Sequence, residues 1–245
     1  MAAVQGPTIS TILTQVSCGS QGNVWGVDAS HNIYHYQSSD GTNWTHAQIP
    51  GTLSQVSAAA DGTVWGVNAA GLIYRYVGNN TWTLISGKLA HVSVGSASLI
   101  WGVDPNGLIY QYTGSAWTQI PGNLKQVSVA ADGTVWGVNA AGLIYRYAGN
   151  NTWTQILGHG QGANAELANG NGTFTLVSVS MPPASGVFAL DASSPDSSLW
   201  NYNGGNPSNT WSPFWDSTTI TSCSFAADGS WAYIDQGATI YQSYV

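Results

Sequence analysis

The chain has 245 residues, 4 Lys+Arg against 11 Asp+Glu, a formal net charge of −7 and only 6% charged residues, where ordinary soluble domains carry about 25%. That length allows one or two domains with a sizeable core, and the charge balance excludes a nucleic-acid binder working by phosphate neutralisation or a protein drawn to an anionic membrane surface. Two arginines, Arg75 and Arg146, and two lysines, Lys88 and Lys125, cannot build a basic groove. Polarity comes instead from Gly, Ser, Thr, Asn and Gln, while 12 Trp and 12 Tyr supply amphipathic rings suited to neutral, hydroxyl-rich partners.

In chain order, residues 1–15 carry neither the basic region nor the apolar run of a signal peptide, and no later stretch reaches the roughly 20 apolar residues of a membrane span. A cytoplasmic location is expected. Two cysteines, Cys18 and Cys223, make no disulfide framework in a chain of this size and are expected as free thiols.

From residue 15 onward the dominant signal is a repeat. V-W-G-V recurs around Trp25, Trp65 and Trp136, with I-W-G-V at Trp101, at offsets of 40, 36 and 35 residues. Each unit reads V-S, a D-G turn, V-W-G-V, a four-residue turn, I-Y-x-Y and then W-T. These are short segments of Val, Ile, Tyr, Trp and Thr between Asp/Asn/Gly turns, so the pattern predicts four antiparallel strands per unit. Units start near 15, 55, 91, 126, 177 and 222. The fifth has Phe188 in place of the tryptophan, the sixth has Ala232 there, and residues 158–175 read as a loop inserted before the fifth. The sixth unit ends without a W-T strand, and residues 1–14 have no unit of their own. The fold class expected is therefore all-β: residues 1–245 as one six-bladed β-propeller of four-stranded antiparallel blades, closed by the N-terminal strand around Gly6 to Ile9.

The intact units around Trp65 and Trp136 resemble the tectonin repeat, and residues 15 to 245 as a whole resemble the fungal tectonin lectins. That resemblance implies a propeller lectin of innate defence. Mushroom members recognise O-methylated glycans on nematodes and bacteria.

Within each unit the turn after V-W-G-V begins with Asp or Asn and usually has Gly fourth, as in Asn68 to Gly71, which fits a type I turn followed by a left-handed residue. These Asp and Asn side chains are expected as turn formers, with no metal and no cofactor. That turn sets the register, pairing Trp25 with His35, Trp65 with Arg75, Trp101 with Gln111 and Trp136 with Arg146. Cross-strand partners share a face. A tryptophan beside a planar hydrogen-bonding group is a plausible sugar site, and these eight residues are the candidate ligand-binding set. The same tryptophans also suit packing between blades. The second aromatic series, Trp44, Trp82, Trp117, Trp153 and Trp211, is expected to cover the outer strands.

Three classes of function follow. A multivalent lectin for neutral sugars fits composition, repeats and resemblance together, and the resemblance implies O-methylated sugars on foreign cell surfaces as its ligands. A non-catalytic protein-interaction scaffold is the alternative, since many propellers serve as scaffolds. An enzyme is not expected: two arginines in separate blades cannot grip a carboxylate as propeller sialidases do, and nothing suggests a nucleophile with its base.

Overall fold

The computed structural model describes residues 13–39, 43–156, 174–180, 186–191, 199–202, 211–215, 220–228, 230–235 and 240–243. The first sheet comprises Leu13–Ser20, Asn23–Asp28, Asn32–Ser38 and Trp44–Thr52. The second comprises Gln55–Ala58, Val64–Val67, Leu72–Tyr76 and Trp82–Lys88, and the third His91–Ser96, Leu99–Val103, Leu108–Tyr112 and Trp117–Asn123. The fourth comprises Gln126–Val129, Val135–Val138, Ile144–Gly149 and Thr152–Ile156, and the fifth Phe174–Ser180, Gly186–Asp191, Leu199–Tyr202 and Trp211–Trp215. The sixth has three strands among the described residues, Ile220–Phe225, Trp231–Asp235 and Ile240–Ser243. Every pairing is antiparallel between consecutive strands. First strands of successive sheets touch in order, and that of the sixth touches that of the first. The chain is an all-β propeller.

The second strand of each sheet is sandwiched between neighbouring sheets, so V-W-G-V is buried at every position, both at Val64–Val67 and at Val135–Val138. Third strands are less covered: in Leu72–Tyr76 only Ile73 is buried, and Arg75, two residues on and therefore on the same face, is exposed. The turns behave as the sequence predicts. Asn68 Oδ1 accepts from Ala70 N at 3.0 Å and Leu72 N at 2.9 Å, and Gly71 takes φ +78°. In the first sheet His31 holds the same place at φ +66°.

Adjacent first strands are joined by side chains rather than by a backbone ladder. Gln15 donates to Val56 O at 3.0 Å and accepts from Val56 N at 3.0 Å, and Gln55 treats Val92 in the same way. Ser17 accepts from Ala58 N at 2.9 Å, Ser57 from Val94 N at 3.1 Å and Ser93 from Val129 N at 3.0 Å. Ser222 accepts from Val16 N and Ser224 from Cys18 N, at 3.2 and 3.0 Å, so the sixth sheet is bound to the first by the same device. The V-S-x pattern of the repeat thus satisfies backbone groups that propeller geometry leaves unpaired.

Two details differ from expectation. The fifth sheet starts at Phe174 and the sixth at Ile220, so residues 174 and 175, expected at the end of the inserted loop, belong to a strand. The remainder of that loop, and the closing segment around Gly6 to Ile9, lie outside the described residues. Secondly, the alignment places Cys18 at the position of Ala58 and Cys223 at that of Val56, and predicts that the first sheet points its thiol toward the second and the sixth toward the first. The directions are reversed. Cys18 packs with Ala226 and Ala232 of the sixth sheet, and Cys223 with Phe188 and Leu190 of the fifth. Neither cysteine is in a disulfide, and both are buried, at two different interfaces.

Candidate functional site

The V-W-G-V glycine matters because a linker leucine occupies the space above it. A Cβ at Gly66 would collide with Leu53, and one at Gly102 with Leu89. These leucines, with Leu13 and Leu124, recur twelve residues before each repeated tryptophan, a signal the sequence reading did not use.

The register brings all four candidate pairs together: Trp25 with His35, Trp65 with Arg75, Trp101 with Gln111 and Trp136 with Arg146. Each tryptophan is 2% exposed, so no indole presents an open face. Trp25 meets Tyr76 and Trp82 of the next sheet at centroid distances of 5.0 and 6.2 Å, both edge-on. Trp65 meets Tyr112 and Trp117 at 5.1 and 6.1 Å, and Trp101 meets Tyr147 and Trp153 at 5.0 and 6.2 Å. Trp136 meets Tyr202 at 5.1 Å. The tryptophans form the floor of each inter-sheet corner. What reaches the rim is the planar polar residue of one sheet and the half-buried Tyr of the next, joined in the first three corners by a half-buried Trp, whereas Trp211 in the fourth is buried.

Those rim aromatics were missed as a group, although the second Tyr of I-Y-x-Y and the Trp of W-T carry the same repeat. The outer tryptophans also do more than cover an edge. Trp82, Trp117 and Trp153 donate their indole N–H to Pro50 O, Ser86 O and Pro121 O of the preceding sheet, at 3.1, 3.0 and 2.9 Å.

The four corners are not chemically alike. In the first, His35 stacks on Trp25 with centroids 4.1 Å apart and planes 16° apart. Burial pushes the His35 pKa down to about 4, so the ring is neutral near pH 7. Asn23 Oδ1 then accepts from His35 Nε2 at 2.8 Å and from Trp25 Nε1 at 3.1 Å. In the third corner Gln111 is half-buried beside Trp101. In the second and fourth, Arg75 and Arg146 are exposed, while the indole N–H groups of Trp65 and Trp136 are buried without an acceptor. The fifth and sixth sheets pair Phe188 with Asn201 and Ala232 with Gln242. Among the described residues no group of three or more His, Cys, Asp or Glu could hold a metal ion.

The tectonin-domain family model matches residues 7–81 and 73–242. The chain belongs to the tectonin family. No curated protein sequence matches this tectonin. Among solved structures it is similar to YCF48 bound to D1 peptide, at 15% identity and a TM-score of 0.62 over 100% of this chain and 95% of that one. It is also similar to a catalytically inactive virginiamycin B lyase from Staphylococcus aureus, at 12% identity and 0.62, covering 93% and 78% of the two chains. The WD40 β-propeller domain of Doa1 gives 10% and 0.61, covering 98% and 94%. At such identities the likeness is one of fold, and this tectonin shares a propeller with proteins of unrelated activity.

Proposed function

We propose that this tectonin is a non-catalytic, multivalent lectin of the cytoplasm, a six-bladed propeller whose last blade is completed by the segment around Gly6 to Ile9. Its partners are neutral glycans of foreign cell surfaces, O-methylated sugars among them, as in defence against nematodes or bacteria. The observation that carries the reading is the repetition of one corner between successive sheets, where a tryptophan paired in register with a planar polar residue of its own sheet meets the Tyr and Trp of the next. Rings bind the apolar face of a sugar and planar polar groups bracket its hydroxyls. A methyl ether suits such a rim, because it buries against aromatic surface without the partner that a buried hydroxyl demands.

Repetition also supplies avidity: a shallow site binds weakly, and several on one chain engage a cell surface together. The non-catalytic reading rests on the two arginines, which lie in different sheets. A glycan array carrying free and O-methylated sugars tests the proposal. Binding that free sugar competes away is the expected result. If no glycan is bound while a protein partner is, the chain is a protein-interaction scaffold instead.

A further inference from the structure

The corners of the second and fourth sheets share a feature that the first lacks. Two residues before its tryptophan the first sheet has Asn23, whose Oδ1 takes the protons of both Trp25 and His35. That corner is satisfied from within. The second and fourth sheets have Thr63 and Thr134 at this place, and both are turned to the D-G turn. Thr63 N donates to Asp61 at 2.9 Å, Thr134 N to Asp132 at 2.9 Å, and the Thr134 hydroxyl to Asp132 at 3.1 Å. Trp65 and Trp136, each 2% exposed, are left with an N–H that has no acceptor. By the geometry of Trp25, that N–H faces the space beside the third-strand residue, where Arg75 and Arg146 stand in register with the indoles.

A buried donor without a partner is costly and rare. Here it occurs twice, beside two exposed guanidiniums, which are always charged. No ion pair engages either arginine among the described residues. The chain has only 4 Lys+Arg in all, so half of its cations sit at these two equivalent points. A single water could take the indole proton, but a carboxylate could accept it and engage the neighbouring guanidinium at the same time. The two corners also match in shape, Trp65 meeting Tyr112 and Trp136 meeting Tyr202 at 5.1 Å and 63° in both cases.

We propose that Trp65/Arg75 and Trp136/Arg146 form two equivalent sites for a carboxylate-bearing sugar, a hexuronate ring. The carboxylate pairs with the guanidinium in the planar, two-bonded manner that arginine favours. One of its oxygens also accepts the indole N–H. The exposed arginine side chain swings to admit it, since the indole nitrogen is closed to solvent in the empty corner. The pyranose then lies against the aromatic rim of the next sheet. This inference rests on the lectin reading for the sugar ring and goes beyond it in naming an acidic ligand at two of the corners.

The test uses the full chain labelled with 15N, in which the 12 tryptophans report through their indole N–H resonances. Methyl glucuronide, methyl glucoside and inorganic phosphate are titrated separately. The expected result is that methyl glucuronide alone moves two indole signals downfield, with two sites per chain by calorimetry. Arg75→Gln and Arg146→Gln should each silence one of those signals and weaken its site by about tenfold or more, as loss of a charged hydrogen-bond partner implies. Their melting curves should not change, because both side chains are exposed. Equal responses to glucoside and glucuronide overturn the proposal, as does a full response in the double arginine variant. A response to phosphate matching that to glucuronide means that no sugar is read, and overturns it too. Binding of neutral glycans on an array without any glucuronide response sinks this inference and leaves the lectin standing, whereas silence toward every glycan sinks both.

Discussion

Trp82 donates its indole N–H to the Pro50 carbonyl at 3.1 Å, latching the fourth strand of the second sheet to that of the first. Gly51 follows at φ +113°, and the site where its Cβ would lie is 3.6 Å from the Trp82 ring. The outer rim is thus held by a bond that repeats at Trp117 and Trp153. Replacing Trp82 by Phe keeps most of the packing and removes the bond, so stability should fall by about 1 kcal/mol and the melting temperature by roughly 2–4 °C. Trp82→Ala, which also strips the ring from Trp25, should cost several times as much. An unchanged melting curve for the Phe variant would show that the latch contributes nothing.

Cys18 lies 3.5 Å from the Ser230 hydroxyl between the first and sixth sheets, and burial pushes the Cys223 thiol pKa up to about 12. The Cys223 thiol is therefore not a reactive thiolate at neutral pH, and Cys18 is only 2% exposed. A thiol reagent should find no free cysteine in the native chain and two after unfolding without reductant. Two reactive thiols in the folded protein would contradict the burial.

The sixth sheet presents Ile240–Ser243 as its last described strand. Its closing partner is proposed to be the segment around Gly6 to Ile9, so deleting residues 1–11 should lower the melting temperature by far more than the roughly 4 °C of an ordinary surface change. Full stability in the shortened chain would remove the closure proposal while leaving the side-chain bridges from Ser222 and Ser224 in place.

His91 stands where the first and second sheets have Gln15 and Gln55, yet its Nδ1 is buried without a partner, and burial pushes its pKa down to about 4 from an ordinary 6.5. Between pH 6.5 and 4 the unfolded chain therefore binds a proton that the folded chain refuses. Stability should be complete above pH 6.5, fall as the pH drops through that window and level off below it. His35 adds to the same slope, since its pKa is lowered in the same direction. Gln in place of His91 can bridge to Val127 as Gln15 bridges to Val56, so His91→Gln should raise the melting temperature and make it less sensitive to acid. Identical melting profiles at pH 7 and pH 5 for both proteins would refute this account.

Much of this architecture was legible because one unit is written several times. The Trp65 to Arg75 register follows from the Asn68 to Gly71 turn, which the chain closes as its residues dictate. The direction in which each sheet faces was not legible: alternation places Cys18 and Ala58 on the same side but does not say which neighbour covers that side. Exposure of the tryptophans was hidden for the same reason, since Tyr112 and Trp117, which cover Trp65, come from the next unit. Least visible was the difference between Asn23 and Thr63. In the sequence both are ordinary turn-flanking polar residues, and only the orientation of the indole makes one a hydrogen-bond partner and the other not.

That difference can be reversed. Asparagine in place of Thr63 would put an acceptor where Asn23 Oδ1 takes the Trp25 proton, in exchange for the exposed side-chain hydrogen bond of Thr63 to Asp61 in its own sheet. Satisfying a buried donor is worth about 1–3 kcal/mol, so Thr63→Asn should raise the melting temperature, and Thr134→Asn should do the same in the fourth sheet. The added amide would also fill the corner and compete with a ligand for the indole N–H. Each variant should therefore lose one glucuronide site while gaining stability, a combination that general damage to the fold cannot produce. Greater stability with both sites intact would mean that the ligand does not use the indole, and lower stability would mean that the indole points away from this corner.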